Sequence, residues 1–175
     1  NIYPEGAMTE ARKQLAKYER QVTRLTTTEV GIGLDVHSRA AYLRIDERVK
    51  ASGLKLTENP VKENSYFLFV LGIGLAQHLE TVVERTNCRV LVLVEPNIDM
   101  FYHSLSVFDW GTLISRMRER SGIEFQLGMD AEHTGLMMNV MFRQYSPSCL
   151  DGATLYKRAN TSTISQIERV FFNGL

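Results

Sequence analysis

Two glycines and a carboxylate in this sequence stand where a nucleotide could be held. Gly72 and Gly74 follow the unbroken apolar run Phe67 to Leu71, and Glu95 closes a second run, "VLVLV". A glycine turn after a strand lets a ligand approach the backbone closely, and the helix N-terminus behind it favours negative charge. An acid at the end of the next strand, about 20 residues on, can accept hydrogen bonds from both hydroxyls of a ribose. Asp130, after the third strand-like stretch "IEFQLG", adds a second acid at a strand end. His78 falls on the helix after the turn, where it either faces the ligand or, more simply, faces solvent or caps the helix. The plainer alternative for the whole set is a tight strand-to-helix turn, with Glu95 capping or solvating a strand end ahead of Pro96.

Other chemistry finds little support. His37, His78, His103 and His133 are dispersed and form no HxxxH or HExxH pair, so no metal site is expected. Cys88 and Cys149 lie far apart without CxxC spacing, which suits free thiols in a reducing cytoplasm. Cys88 reads as packing, and Met137, Met138 and Met141 read as core filler. Asp35, His37 and Arg39 cluster in "LDVHSR", which could bind an anion but reads more simply as a polar helix start. No catalytic residue is assigned.

The elements that would position Gly72, Gly74 and Glu95 follow from periodicity. Residues 8–25 carry Leu15, Tyr18, Val22 and Leu25 at helical spacing, and Arg39 to Ser52 continue through Ala41, Leu43, Ile45 and Val49. "TENPVKENS" then breaks the pattern. Strands are expected at 66–71, 89–94 and "IEFQLG", with helices at about 74–86, within 98–119, and from Asp130 onward; Asp109 is a good N-cap. Strands alternating with helices imply parallel pairing, and near-continuous apolar strands imply a sheet covered on both faces. The expected fold is α/β: a Rossmann-like layered fold with a mainly parallel sheet, Phe67–Leu71 beside Val90–Val94. The expected division is a mainly helical extension over 1–57, the α/β domain over 58–150, and a connector helix over 151–175 leading to a missing downstream domain. Ile164, Ile167, Val170 and Phe171 form an apolar stripe on that helix, expected to pack on the sheet domain or on another copy of the chain.

Bulk composition narrows the classes. The 175 residues are 44% apolar and 23% charged, with 20 Lys plus Arg balancing 20 Asp plus Glu. A general nucleic-acid binder would show a basic excess. The longest apolar run, Phe67 to Leu75, is too short to span a bilayer, and no N-terminal hydrophobic stretch suggests a signal peptide.

The densest stretch, "FLFVLGIGLAQHLETVVERTNCRVLVLVEPNIDMFYHSLSVFDW", resembles the N-terminal domain of the bacterial motility accessory factors, flagellin glycosyltransferases with an MptE-like (6-hydroxymethylpterin pyrophosphokinase-like) central domain. The resemblance rests on "GxGLGxHL", a strand ending in "EPx", and an "FDW"-like segment. Gly72, Gly74, Leu75, His78, Leu79, Glu95, Pro96, Phe108 and Asp109 match these, and Ala76 stands at the last glycine. "HSR" (37–39) is similar to a further family segment. The resemblance implies transfer of nonulosonic acids from CMP-activated donors to flagellin, with the catalytic centre in another domain. This chain would then be a non-catalytic accessory domain without a cofactor, partnered by its downstream catalytic domain and the flagellin acceptor. A homo-oligomer through the C-terminal helix is a further expectation. The alternative from another class is an S-adenosylmethionine-dependent methyltransferase: Gly72 and Gly74 at the methionine and sugar, Glu95 on the ribose, and Asp130 where class I methyltransferases read adenine.

Overall fold

The structure, a computed structural model, describes residues 23–25, 36–53, 64–145, 152–158 and 160–174, with isolated positions 9, 12, 13 and 16. In chain order the elements are β1 (Thr23–Leu25), α1 (Val36–Ala51), β2 (Ser65–Leu71), α2 (Leu79–Thr86), β3 (Cys88–Glu95), α3 (Ile98–Ser104), α4 (Trp110–Arg120), β4 (Gly122–Leu127), α5 (Ala131–Tyr145), β5 (Ala153–Lys157) and α6 (Ser162–Asn173). The strands form one five-stranded sheet in the order β1-β5-β2-β3-β4. β5, β2, β3 and β4 run parallel, and β1 pairs antiparallel with β5 at the edge. Phe67–Leu71 and Val90–Val94 are neighbours in register, as the apolar runs predict.

The alternation of side chains along each strand divides the core into two layers. Leu68, Val70, Leu91 and Leu93 face one side and pack with Leu79, Val82 and Val83 of α2 and Leu113 and Met117 of α4. Phe67, Phe69, Leu71, Val92 and Val94 face the other side and pack with Met138 and Phe142 of α5 and Ile164, Ile167 and Phe171 of α6. A sheet covered on both faces has no polar position to spare, which is why β2 and β3 read as unbroken apolar runs. The caps are local: Asp109 accepts from the Thr112 amide (3.1 Å) to start α4, and Asn87 in the left-handed region (φ 41°) ends α2. The "FDW" segment is thereby structural. Trp110 stacks edge-on against Phe101 and Phe108, and its Nε1–H donates to Ser104 Oγ at 3.1 Å.

The end of the chain differs from expectation. Residues 151–175 are not a connector outside the α/β domain, because β5 lies between β1 and β2 within the sheet and α6 covers the sheet face. The signal was a short β-rich run, "ATLYK", behind Gly152. The apolar stripe Ile164, Ile167 and Phe171 is buried against the sheet, the first of the two placements expected for it. α5 and α6 cross closely at Gly135, where a Cβ would meet Val170 Cβ at 2.7 Å and the Ile167 carbonyl oxygen at 2.9 Å.

Four other readings are corrected. Thr23–Leu25 is a strand, so the helix expected over 8–25 stops short of it and the extension over 1–57 is not separate from the sheet; most of that helix lies outside the described residues. The helix expected over 74–86 begins only at Leu79, because positive φ angles at Gly74 and Ala76 hold 72–78 as a turn. On α1, Ala41, Leu43 and Ile45 are all exposed, so the expected apolar positions do not form a buried face. Met138 fills the core and Met141 is half-buried as expected, but Met137 is exposed on the outer face of α5.

Candidate functional site

Gly72, Gly74, His78 and Glu95 gather where β2 and β3 end. Gly72 (φ 87°) and Gly74 (φ 54°) take left-handed backbone that glycine adopts freely, and Ala76 (φ 63°) takes it as a side-chain-bearing residue. That conformation at Ala76 explains why glycine suits the position where the sequence pattern has one.

Glu95 is buried and braces this turn from within. Its Oε2 accepts from the amides of Ile73 (2.8 Å) and Gly74 (3.0 Å), and its Oε1 accepts from the amide of Asn97 (3.1 Å). Both oxygens therefore serve backbone donors of the fold, the role the ribose hydroxyls would take in the nucleotide reading. Asp130 stands two strands from β2, about 10 Å across the sheet. Its Oδ1 accepts from the His133 amide (2.8 Å) as a cap of α5. The structure thus brings Gly72, Gly74, His78 and Glu95 together and leaves Asp130 apart.

His78 is neither solvent-facing nor a side-chain cap. It occupies the N-cap position of α2 without a cap hydrogen bond, is 3% exposed, and its ring lies 5.1 Å from that of Tyr156. Burial, helped by the positive charge of Arg158, lowers its pKa to about 3. The unfolded chain titrates this group near 6.5, so it binds more protons than the fold between those values. Stability held above pH 6.5 is therefore lost as pH falls toward 3, at about 1.4 kcal/mol per pH unit. The fold should lose about 3 kcal/mol through this group between pH 7 and pH 4.5. Urea unfolding of the wild type and His78→Gln at the two pH values measures it; equal pH slopes in the two proteins would show that His78 is not buried neutral.

Two site residues escaped the sequence reading because β5 did. Tyr156 sits against His78, and Arg158 extends the β5–β2 ladder, its amide donating to the Leu71 carbonyl oxygen at 3.0 Å. The Arg158 side chain lies over the glycine turn: a methyl on Gly74 would overlap its guanidinium. The turn is therefore braced by Glu95 on one side and covered by Arg158 on the other. Cys88, buried at the start of β3, has its thiol pushed up to about 12 by burial, which makes it a packing group. Among the described residues no group of three or more His, Cys, Asp or Glu could hold a metal ion.

Comparison with known proteins places this arrangement. The model of the glycosyltransferase Maf N-terminal domain matches residues 1–175. The chain belongs to that family. The Maf N-terminal domain described here is also similar to the solved structure of MAf glycosyltransferase from Magnetospirillum magneticum AMB-1, with a TM-score of 0.70 and 22% sequence identity. The match covers 93% of this chain and 26% of that one, so this Maf domain spans about a quarter of the solved protein's length. No curated protein matches its sequence. Among its described residues no helix is long and apolar enough to cross a membrane.

Proposed function

We propose that this Maf N-terminal domain is a non-catalytic accessory domain of a cytoplasmic glycosyltransferase that modifies flagellin with nonulosonic acids. It supports the downstream catalytic domain, of MptE-like type, or docks the flagellin acceptor. The observation that carries this reading is the state of the glycine turn. The acid that would bind a nucleotide is committed to three backbone amides, and Arg158 covers Gly74. Burial keeps His78 neutral down to about 3 and pushes the Tyr156 hydroxyl up to about 12. A general base poised near neutral pH needs the opposite tuning.

The test is turnover. The 175-residue chain, incubated with CMP-nonulosonate and flagellin, should neither hydrolyse the donor nor transfer the sugar, and the parent protein should do both. Turnover by the isolated chain above a buffer blank, abolished by a substitution within it, overturns the accessory reading. Calorimetry with S-adenosylmethionine and S-adenosylhomocysteine checks the methyltransferase alternative. Binding should be no tighter than about millimolar, roughly −4 kcal/mol; a micromolar constant would restore that alternative.

A further inference from the structure

We propose that the crevice between the carboxyl ends of β5 and β2 binds a small oxyanion, a phosphoryl or carboxylate group, held between the Arg158 guanidinium and Nε2–H of His78. The first support is topology. From β2 the chain steps outward through β3 to β4, then returns through α5 to place β5 on the other side of β2. The strand order reverses between β5 and β2, and ligands of open α/β sheets bind outside the strand ends at such a point. This is one strand away from the β2–β3 position that the glycine–acid pattern suggests.

The second support is a polar atom left unmet. His78 Nε2 is buried and has no hydrogen-bond partner among the described residues. An unsatisfied buried polar atom of this kind is costly, and native structures meet such groups with a ligand or an ordered water. The third is charge. Beyond the burial that lowers the pKa of His78 and raises that of Tyr156, the charge of Arg158 acts on both groups, so the unmet nitrogen sits in a positive field. A neutral imidazole protonated on Nε2 donates to an oxyanion, and a guanidinium donates to the same group through a planar fork. The half-buried Arg158 side chain rests on Gly74 because no Cβ stands there. Lys157 pairs with Glu168 at 2.6 Å, and Glu95 is held by backbone amides. Anion binding requires no catalysis, so this site stands or falls separately from the accessory role.

Calorimetry with inorganic pyrophosphate and with malonate tests the proposal, the two probes separating a phosphoryl from a carboxylate preference. The variants are Arg158→Gln and Arg89→Gln. Arg89 lines a polar cleft with Asn64, Asn87, Cys88 and Arg120 at the opposite end of the sheet, the rival place for an anion. Saturable binding of at least one probe is expected, at least tenfold weaker in Arg158→Gln and unchanged in Arg89→Gln. The wild-type protein supplies a second readout that needs no variant. The ring nitrogen resonances of His78 should shift with the same saturation curve. Absence of saturable binding by either probe, weakening by Arg89→Gln instead of Arg158→Gln, or a His78 ring unmoved at saturation would overturn the proposal and leave a buried water as the partner of Nε2.

Discussion

Glu95→Ala should destabilise the domain by about 3–5 kcal/mol, because one buried carboxylate serves three backbone amides. Each hydrogen bond to a charged acceptor contributes roughly 1.5–3 kcal/mol, and the three are not additive because they share one side chain. The loss is not only of bonds. Ile73 and Gly74 sit in a buried turn whose amides would have no other acceptor, so the desolvation cost of each donor is left uncompensated. Glu95→Gln should cost less, since the amide keeps one acceptor oxygen but turns an N–H₂ group toward a backbone donor. Urea unfolding midpoints at pH 7 measure both. A loss below about 1 kcal/mol for alanine would mean that the turn stands without its brace. The nucleotide reading then regains force, because Glu95 would be free for a ligand.

Phe171→Asp should abolish cooperative folding. Phe171 is fully buried between sheet and helices, its ring 5.4 Å from that of Phe69 and 6.2 Å from that of Phe142. Truncating a buried phenylalanine costs about 3–5 kcal/mol, and placing an unpaired carboxylate in the same apolar layer adds several more. That sum is comparable to the whole stability of a domain, roughly 5–15 kcal/mol. Circular dichroism and light scattering should report a collapsed or aggregated chain. Phe171→Leu, which keeps most of the apolar volume, should remain folded. A folded, monomeric Phe171→Asp protein would show that α6 is a detachable connector and not part of the core.

Much of this architecture was legible in the residues. The apolar runs Phe67–Leu71 and Val90–Val94 could only be strands covered on both faces, and they pair in register as neighbours. Asp109 was readable as a cap because a cap is local, its donor three residues on along the chain; Asp130, read as a strand-end acid, turned out to cap α5 in the same way. The glycine turn was equally plain, since left-handed backbone at Gly72 and Gly74 is a property of the residue type.

What the turn does was decided only by the tertiary structure. Glu95 lies at the strand end its position suggests, yet whether its oxygens face a ribose or the amides of Ile73 and Gly74 depends on how closely two parallel strands bring residues distant in sequence together. The same holds for β5. Its five residues carry a weak local signal, and their placement between β1 and β2 comes from burying Ala153, Leu155 and Tyr156 on the two faces of a sheet already half built. That placement sets Arg158 on Gly74 and Tyr156 against His78. It also settled that the stripe on α6 packs on this sheet, because apolar periodicity says which face must be buried and not what buries it. Local residue chemistry determined the strands, caps and turn; long-range packing decided which groups the crevice would hold.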